Sequence, residues 1–203
     1  MKNLFLPLLL ILFLFTFCNA EAQYKYTTNY DYLVKRQQIG KTGSIAYTTW
    51  SGANLVGGIA FWAAGKGEGK YFGQMNVVWS AINLSIAIPG LIGSFKKIDN
   101  NVSTGRLIKM QYSSEQAYLI NGGLDFLYLG TGAFLRGIAA KYPKQEARLN
   151  GYGDSFLING GFLLLFDFIQ YFRHRHQRKS ADNIFFDRIS MSDNGIGIKY
   201  TFN

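Results

Sequence analysis

The sequence has little charge for its length. Charged residues make up only 16% of the 203 residues, whereas 48% are hydrophobic. An ordinary soluble domain carries about 25% charged residues, so this composition argues against a disordered chain, a coiled coil and a nucleic-acid-binding arm. The charge that is present is unbalanced, with 21 Lys and Arg against 12 Asp and Glu. The formal net charge of +9 therefore needs an explanation other than nucleic-acid binding, and we expect no nucleic-acid partner.

Cysteine is nearly absent, and the single Cys18 lies in a segment with the pattern of a secretory signal peptide. Lys2 supplies a positive start, a short apolar run follows, and small residues come next at Ala20 and Ala22. This pattern predicts a signal peptide over residues 1–22 and export from the cytoplasm. A chain cut after Ala22 has no cysteine, which excludes disulfides, thiol catalysis and cysteine-based metal sites.

Long stretches without charge organise the rest of the chain. No charged residue lies between Lys41 and Lys66 or between Lys70 and Lys96, and each gap is long enough to cross a hydrocarbon core as a helix. Two further apolar stretches contain one aspartate each. We therefore predict an all-α fold, a four-helix transmembrane bundle over residues 43–175. The predicted spans are about 43–64, 71–95, 116–137 and 155–172.

The predicted flanks of the bundle are polar. Residues 23–42 read as an amphipathic lead-in, and residues 176–203 as a basic and polar tail. Alternating apolar residues between Gly195 and Phe202 predict a short terminal β-strand in that tail. The alternative is a soluble secreted helical bundle, but the second predicted helix has no charged residue and would present a poor solvent-facing surface.

Two pairs of similar short segments in the sequence predict an internal repeat. Residues 50–55 and 79–84 are identical at four of six positions, and residues 119–123 recur unchanged as 157–161. They pair the first predicted helix with the second and the third with the fourth, as in some transporters. Each predicted span thereby carries one asparagine within its repeated segment, and asparagines in membrane helices hydrogen-bond between helices, which favours a packing role over ligand chemistry. The polar residues in question are Asn54, Asn83, Asn121 and Asn159, together with Gln74 in the second span.

Asp125 and Asp167 are the sharpest functional candidates, because an ionisable group inside a membrane span is costly. With the third and fourth helices antiparallel, both carboxyl groups fall within about one turn of the midplane. Two facing carboxylates in a dry site cannot both ionise cheaply, so we hypothesise that they share a proton as in proton relays. The alternative is structural, with each aspartate accepting hydrogen bonds from neighbours such as Asn121.

A basic run follows the fourth apolar stretch. It predicts contacts with anionic lipid head groups through Arg173, Arg175, Arg178 and Lys179. His174 and His176 are interspersed with these cations, which would repel a metal ion, and a third ligand is missing nearby. We predict no metal site and no cofactor. The sequence also shows no nucleophile and base in a catalytic arrangement, so we predict no catalytic residues.

Several segments resemble a family of uncharacterised proteins, a domain-of-unknown-function family common in Bacteroidota. The similar segments are residues 71–76, 83–84, 121–125, 148–153 and 162–167, with Trp79. The resemblance extends over about residues 30–174 and implies a small multi-span membrane protein without an assigned activity. Where the family pattern has histidine this chain has Gly73, so no role that rests on an imidazole there is implied.

Charge distribution and signal peptide predict opposite orientations. The mature N-terminal segment, the second loop and the C-terminal tail share one side of the bundle and hold 14 Lys and Arg, against 6 on the other side. The positive-inside rule would place that basic side in the cytoplasm, whereas a cleaved signal peptide places the mature N-terminus outside. The signal pattern is the more specific of the two.

These features predict an integral protein of the bacterial cell envelope, in the inner rather than the outer membrane. The leading function is a non-enzymatic module that binds membrane lipids, a protein partner or a second copy of the chain. The alternative is a small proton-coupled transporter or carrier that uses Asp125 and Asp167.

Overall fold

A computed structural model describes residues 26, 28–99, 101–181, 189–192 and 195–198. Its four helices are α1 (Asn29–Ala64), α2 (Glu68–Gly93), α3 (Thr104–Ala139) and α4 (Glu146–Lys179). Two short strands, β1 (Ile189–Ser192) and β2 (Gly195–Ile198), pair antiparallel in the region where alternation predicts a strand. The prediction of an all-α, four-helix fold is confirmed. The predicted signal peptide, residues 1–22, lies outside the described residues.

Local side chains and glycines set the helix boundaries. Thr28 Oγ1 accepts a hydrogen bond from the Asp31 amide at 3.1 Å and caps α1. Ser103 caps α3 in the same way, which satisfies an amide that has no partner within the helix. Gly67 has a φ of +53° immediately before α2. Glycine adopts a positive φ without strain. The chain therefore reverses direction between α1 and α2 within three residues.

The helices extend beyond the apolar stretches that predict them. Helix α1 joins residues 29–42 of the predicted lead-in to the first span, and α3 begins at Thr104, twelve residues before its predicted start. Helix α4 begins at Glu146 and continues through the basic run to Lys179, so the separate tail predicted from residue 176 was wrong at its start. These polar turns are helical because they pack on one another: Gln177 Nε2, for example, donates to the Tyr32 carbonyl at 2.9 Å.

The four helices form two antiparallel hairpins. Helix α1 packs along α2, α3 packs along α4, and the hairpins meet mainly through the parallel pair α2 and α4. The backbones of α2 and α3, although the helices are consecutive, approach closely at few positions, and Trp79 on α2 contacts Tyr128 on α3 with ring centroids 4.8 Å apart. A cleft therefore opens between α2 and α3 along the side of the bundle.

Glycines bring the helices of each hairpin into backbone contact. A Cβ atom added to Gly132 on α3 would lie 2.8 Å from the carbonyl oxygen of Gly153 on α4. In the other hairpin, a Cβ added to Gly58 on α1 would lie 3.1 Å from the carbonyl oxygen of Gly73 on α2. Small residues at such crossings allow the close approach that is typical of membrane helices.

Within the four predicted spans, the buried side chains are mostly polar. Nine polar or charged residues are buried there, against five apolar ones. The polar set is Ser51, Asn76, Ser80, Asn83, Asp125, Ser155, Asn159, Asp167 and Gln170. The apolar set is Ala46, Trp79, Ala87, Phe162 and Leu163. Large apolar residues meanwhile occupy the surface of the bundle, with Val56 72% and Leu127 64% exposed.

Two helices of the described chain, α2 and α4, are long and apolar enough to cross a membrane. Helices α1 and α3, for which the sequence also predicts spans, do not meet the same criterion of length and composition. The finding is weak support for membrane insertion, because a buried helix of a soluble protein passes the same test. Four transmembrane spans therefore stay a prediction.

Candidate functional site

The cleft between α2 and α3 leads to a cavity of about 120 Å³ in the middle of the bundle. All four helices contribute to its wall. Its polar lining consists of Tyr47, Asn83, Asn121, Asp125, Tyr128 and Asp167. We call this cavity the polar cleft. These side chains come from all four helices, so only the folded bundle brings them together.

Asp125 on α3 and Asp167 on α4 contact each other in the polar cleft. Their carboxyl groups are within hydrogen-bonding distance of each other, and the residues are only 2% and 5% exposed. Two buried carboxyl groups so close together cannot both ionise cheaply, and the sharing of a proton between them stays a prediction. Oδ2 of Asp125 has no hydrogen-bond partner among the described residues. This oxygen is therefore available to a further hydrogen-bond donor.

Asn83 and Asn121 form opposite walls of the polar cleft. Asn83 is buried on α2, where its Oδ1 accepts a hydrogen bond from the Tyr47 hydroxyl on α1 at 3.0 Å. Asn121 is exposed on α3 and lies at the mouth of the cleft, one turn before Asp125. The predicted packing role thus fits the contacts of Asn83, whereas Asn121 faces outward.

A second polar layer joins α2 to α4 beside the cleft. Oδ1 of Asn76 accepts hydrogen bonds from Ser155 Oγ at 2.9 Å and from Asn159 Nδ2 at 2.6 Å. All three residues are almost completely buried. The layer fixes the register of the two parallel helices that hold the hairpins together, which is a structural role.

The other two polar candidates lie away from this interior. Asn54 is half-buried and donates to the Trp50 carbonyl of its own helix at 3.2 Å, so it does not join two helices as the sequence predicts. Gln74 accepts a hydrogen bond from the Tyr152 hydroxyl at 3.0 Å and links α2 to α4 near the turn end of the bundle.

Sequence reasoning missed Tyr47, Asn76 and Ser155. A signal was present on α4, where buried polar residues recur at spacings of three, four or eight positions and so lie on one helix face. That stripe consists of Ser155, Asn159, Asp167, Gln170, His174 and Gln177. On α2, Asn76 and Asn83 are seven residues apart and share a face in the same way. Tyr47 had no comparable signal, because its role depends on the packing of α1 against α2.

The basic run at the end of α4 has mixed surroundings. Arg178 forms a two-point ion pair with the buried Glu115 at 2.8 and 3.1 Å. Arg173 donates to Thr42 Oγ1 on α1 at 2.9 Å. Arg175 lies over the Tyr171 ring, and Lys179 is exposed. Two of the four predicted head-group ligands thus make contacts inside the protein, and the lipid role of all four stays a prediction.

Within the part of the chain that the structure describes, no cluster of three or more His, Cys, Asp or Glu side chains is arranged to hold a metal ion. The polar cleft contains two carboxyl groups and amide and phenol oxygens. This donor set can exchange hydrogen bonds and a proton, but it lacks a nucleophile with an adjacent base.

A known protein family matches residues 46–168, which is more than half of the chain and includes every residue of the polar cleft. The chain belongs to the DUF6992 family. DUF6992 is a family of unknown function. This match confirms the resemblance to an uncharacterised family that the sequence segments indicate. No curated protein and no solved structure matches the chain.

Proposed function

We propose that this DUF6992 protein is an integral protein of the bacterial cell envelope, exported by a signal peptide and inserted in the inner membrane. Its function is non-enzymatic: it binds a membrane lipid or a protein partner at the polar cleft. The observation that carries the proposal is the Asp125–Asp167 pair in a cleft between α2 and α3, two helices whose backbones approach closely at few positions.

The distribution of polarity supports membrane insertion. Nine of the fourteen side chains buried within the predicted spans are polar, while the outer surface is apolar. In water this arrangement would expose large apolar patches and lose the stability that apolar burial provides. In a bilayer the apolar surface faces lipid, and the interior polar groups hydrogen-bond one another.

The rim of the polar cleft supports binding in the plane of the membrane. Ile82 and Ile86 on α2 and Leu124 on α3 line the cleft and are 51%, 60% and 43% exposed. An apolar rim fits a lipid chain or a partner helix, and the buried carboxyl pair offers hydrogen bonds to a polar group carried by that ligand. A hydrogen bond of this kind inside a membrane contributes about 0.6–2 kcal/mol.

Alkaline extraction of isolated envelopes tests membrane insertion. We expect the protein to remain in the membrane pellet, because its apolar surface would anchor it in lipid. Release into the soluble fraction would overturn the membrane proposal and leave the soluble secreted bundle as the remaining interpretation.

Photo-crosslinking tests the binding site. A photoreactive amino acid at Ile86, on the cleft rim, should give a discrete adduct in native membranes, and Asp125→Asn should reduce that adduct. The matched control is the same amino acid at Val56, which is 72% exposed on α1 and does not line the cleft. Identical adducts at the two positions would contradict a specific site at the cleft.

The close contact of the two buried carboxyl groups of Asp125 and Asp167 favours a second candidate function, a small proton-coupled carrier. Proteoliposomes with an internal pH-sensitive dye distinguish the two functions. Proton flux in the unmodified protein that is lost in the double variant Asp125→Asn, Asp167→Asn would support the carrier. Equal dye responses with the unmodified protein, the double variant and empty vesicles would exclude it.

A further inference from the structure

A second and larger cavity, about 400 Å³ in volume, lies at the end of the bundle where α1 and α3 begin and α2 and α4 end. Arg36 on α1, Lys96 and Lys97 after α2, Arg106 on α3 and His174 on α4 line it. We call this cavity the basic pocket, defined by those five residues. It is separate from the polar cleft, with which it shares no lining residue.

The basic pocket has a strong excess of positive charge. Four Lys and Arg side chains line it, and Asp99 is the only Asp or Glu among its lining residues. Asp99 also accepts a hydrogen bond from the Asn101 amide at 2.9 Å. A concave site lined by one sign of charge concentrates counter-ions, so the pocket attracts an anion.

Arg36 is held in place at the wall of the pocket. Its Nη2 donates to the Met110 carbonyl at 3.0 Å and to Ser114 Oγ at 2.7 Å, both on α3. These bonds fix the planar guanidinium, and Nε and Nη1 make no hydrogen bond among the described residues. The two donors point from different edges of the guanidinium, so each can give one charge-assisted hydrogen bond to a phosphate oxygen from a fixed position.

His174 provides an independent indication of a ligand. The residue is only 3% exposed, it lines the basic pocket, and its Nδ1 has no hydrogen-bond partner among the described residues. Its ring is stacked on Tyr118, with centroids 5.5 Å apart, so the imidazole is held in one orientation. A buried polar atom without a partner is costly, and a bound ligand would supply the missing hydrogen bond.

We propose that the basic pocket binds a phosphate group, with Arg36 as the anchoring ligand and Lys96, Lys97 and Arg106 as supporting cations. A volume of about 400 Å³ accommodates a phosphate ester rather than only the inorganic ion. The phosphate has two sources, a lipid head group or a soluble phosphate ester. The pocket lies at the end of the predicted spans beside exposed Ile92 and Phe95, within reach of either.

Calorimetric titration of the purified full chain in mild detergent tests the proposal, with two probes. One arm adds inorganic phosphate, and the other adds vesicles of phosphatidylglycerol against vesicles of phosphatidylcholine. Saturable heat with inorganic phosphate indicates a soluble phosphate ligand, and saturable heat only with phosphatidylglycerol indicates a lipid head group. Either result supports the pocket, whereas no saturable binding in both arms overturns it.

Matched variants assign any binding to the basic pocket. Arg36→Met should weaken binding about tenfold or more, because a charge-assisted hydrogen bond contributes about 1.5–3 kcal/mol. Arg106→Gln, at an exposed residue, should weaken it without disturbing the fold and serves if Arg36→Met does not fold. Arg148→Met is the control, because Arg148 is exposed at the opposite end of the bundle. Equal losses with Arg106→Gln and Arg148→Met would overturn the assignment.

Nuclear magnetic resonance of the imidazoles gives a second readout. The chain contains two histidines, so His176→Gln leaves the His174 signal alone. The bound probe should shift the His174 nitrogen resonances, and the shift should disappear in Arg36→Met or Arg106→Gln. Unchanged His174 resonances at saturating probe would place the ligand outside the basic pocket.

Discussion

The carboxyl group of Asp125 on α3 lies within hydrogen-bonding distance of that of Asp167 on α4, inside a bundle whose surface is apolar. The two residues are in the hairpin formed by α3 and α4, and the polar cleft reaches them between α2 and α3. A pair of carboxyl groups that shares a proton keeps its hydrogen bond only while one donor and one acceptor are both present.

The Asp125–Asp167 contact predicts different outcomes for an amide and an apolar replacement. Asp167→Asn keeps a donor for Asp125, so we expect a small change in stability. Asp167→Leu removes the partner of a buried carboxyl group and should lower the free energy of unfolding by about 1–3 kcal/mol. Thermal unfolding in detergent, followed by circular dichroism, measures both. Asp99→Leu, at an exposed residue, is the control, and equal losses for the two Asp167 variants would contradict the prediction.

The crossing of α3 and α4 predicts a strong dependence on Gly132. Gly132→Ala places a methyl group 2.8 Å from the Gly153 carbonyl oxygen, so the helices must separate at a cost of about 1–3 kcal/mol. Gly137→Ala, on the same helix, meets no atom within 4 Å and should be neutral or slightly stabilising. Chemical denaturation in detergent compares the two. Equal stability of the two variants would show that backbone contact at Gly132 is unimportant.

The asparagines should differ in their contribution to stability. Asn76→Ala leaves Ser155 and Asn159 without their shared acceptor, and we expect a loss of about 1–3 kcal/mol. Asn54→Ala removes only a bond to the same helix and should change stability by less than about 0.5 kcal/mol. Unfolding midpoints of the two variants test this order. A larger loss for Asn54→Ala would contradict the assignment of the interior layer.

His174 predicts a pH dependence of stability. Burial, together with the positive charges of the nearby Arg36 and Arg173, lowers the pKa of His174 from 6.5 to about 3. The unfolded chain binds a proton near pH 6.5, but the folded chain does not until about pH 3. Stability should therefore fall as the pH drops from about 6.5 towards 3, by on the order of 1 kcal/mol per pH unit.

Denaturation of the His174→Gln variant at several pH values measures this contribution. We expect a weaker loss of stability below pH 6.5 than in the unmodified protein, because glutamine takes up no proton. His176→Gln is the control, since His176 is exposed on the same turn of α4. The carboxyl groups contribute to all three proteins alike, so the difference between them isolates the imidazole. Parallel curves for His174→Gln and the unmodified protein would contradict the prediction.

The apolar stretches predicted the number and positions of the helices but not their ends. An apolar run predicts only the apolar part of a helix. The outer turns of α1, α3 and α4 are polar and lie outside these runs. Those turns are stabilised by contacts between helices, such as Gln111 Nε2 donating to the His174 carbonyl at 2.6 Å. Such long-range contacts leave no periodic signal in a single segment.

The candidate site was predictable in part. Asp125 and Asp167 stood out because each is the only charged residue of its apolar stretch. The repeated segments pointed to Asn83 and Asn159, which are buried between helices. They pointed equally to Asn54 and Asn121, which are not buried between helices. The rotation of each helix decides between these outcomes, and a repeated short sequence does not specify that rotation.

The sequence by itself determined the four helices, the family and the two aspartates, because hydrophobic runs and rare charges are local properties of the chain. Only the tertiary structure decided that Asp125 meets Asp167, that Arg178 pairs with Glu115, and that Arg36 and His174 share a basic pocket. The physical reason is that these contacts depend on which helices pack together and on their rotation. Both follow from the summed packing of glycines, aromatic rings and buried polar groups throughout the bundle.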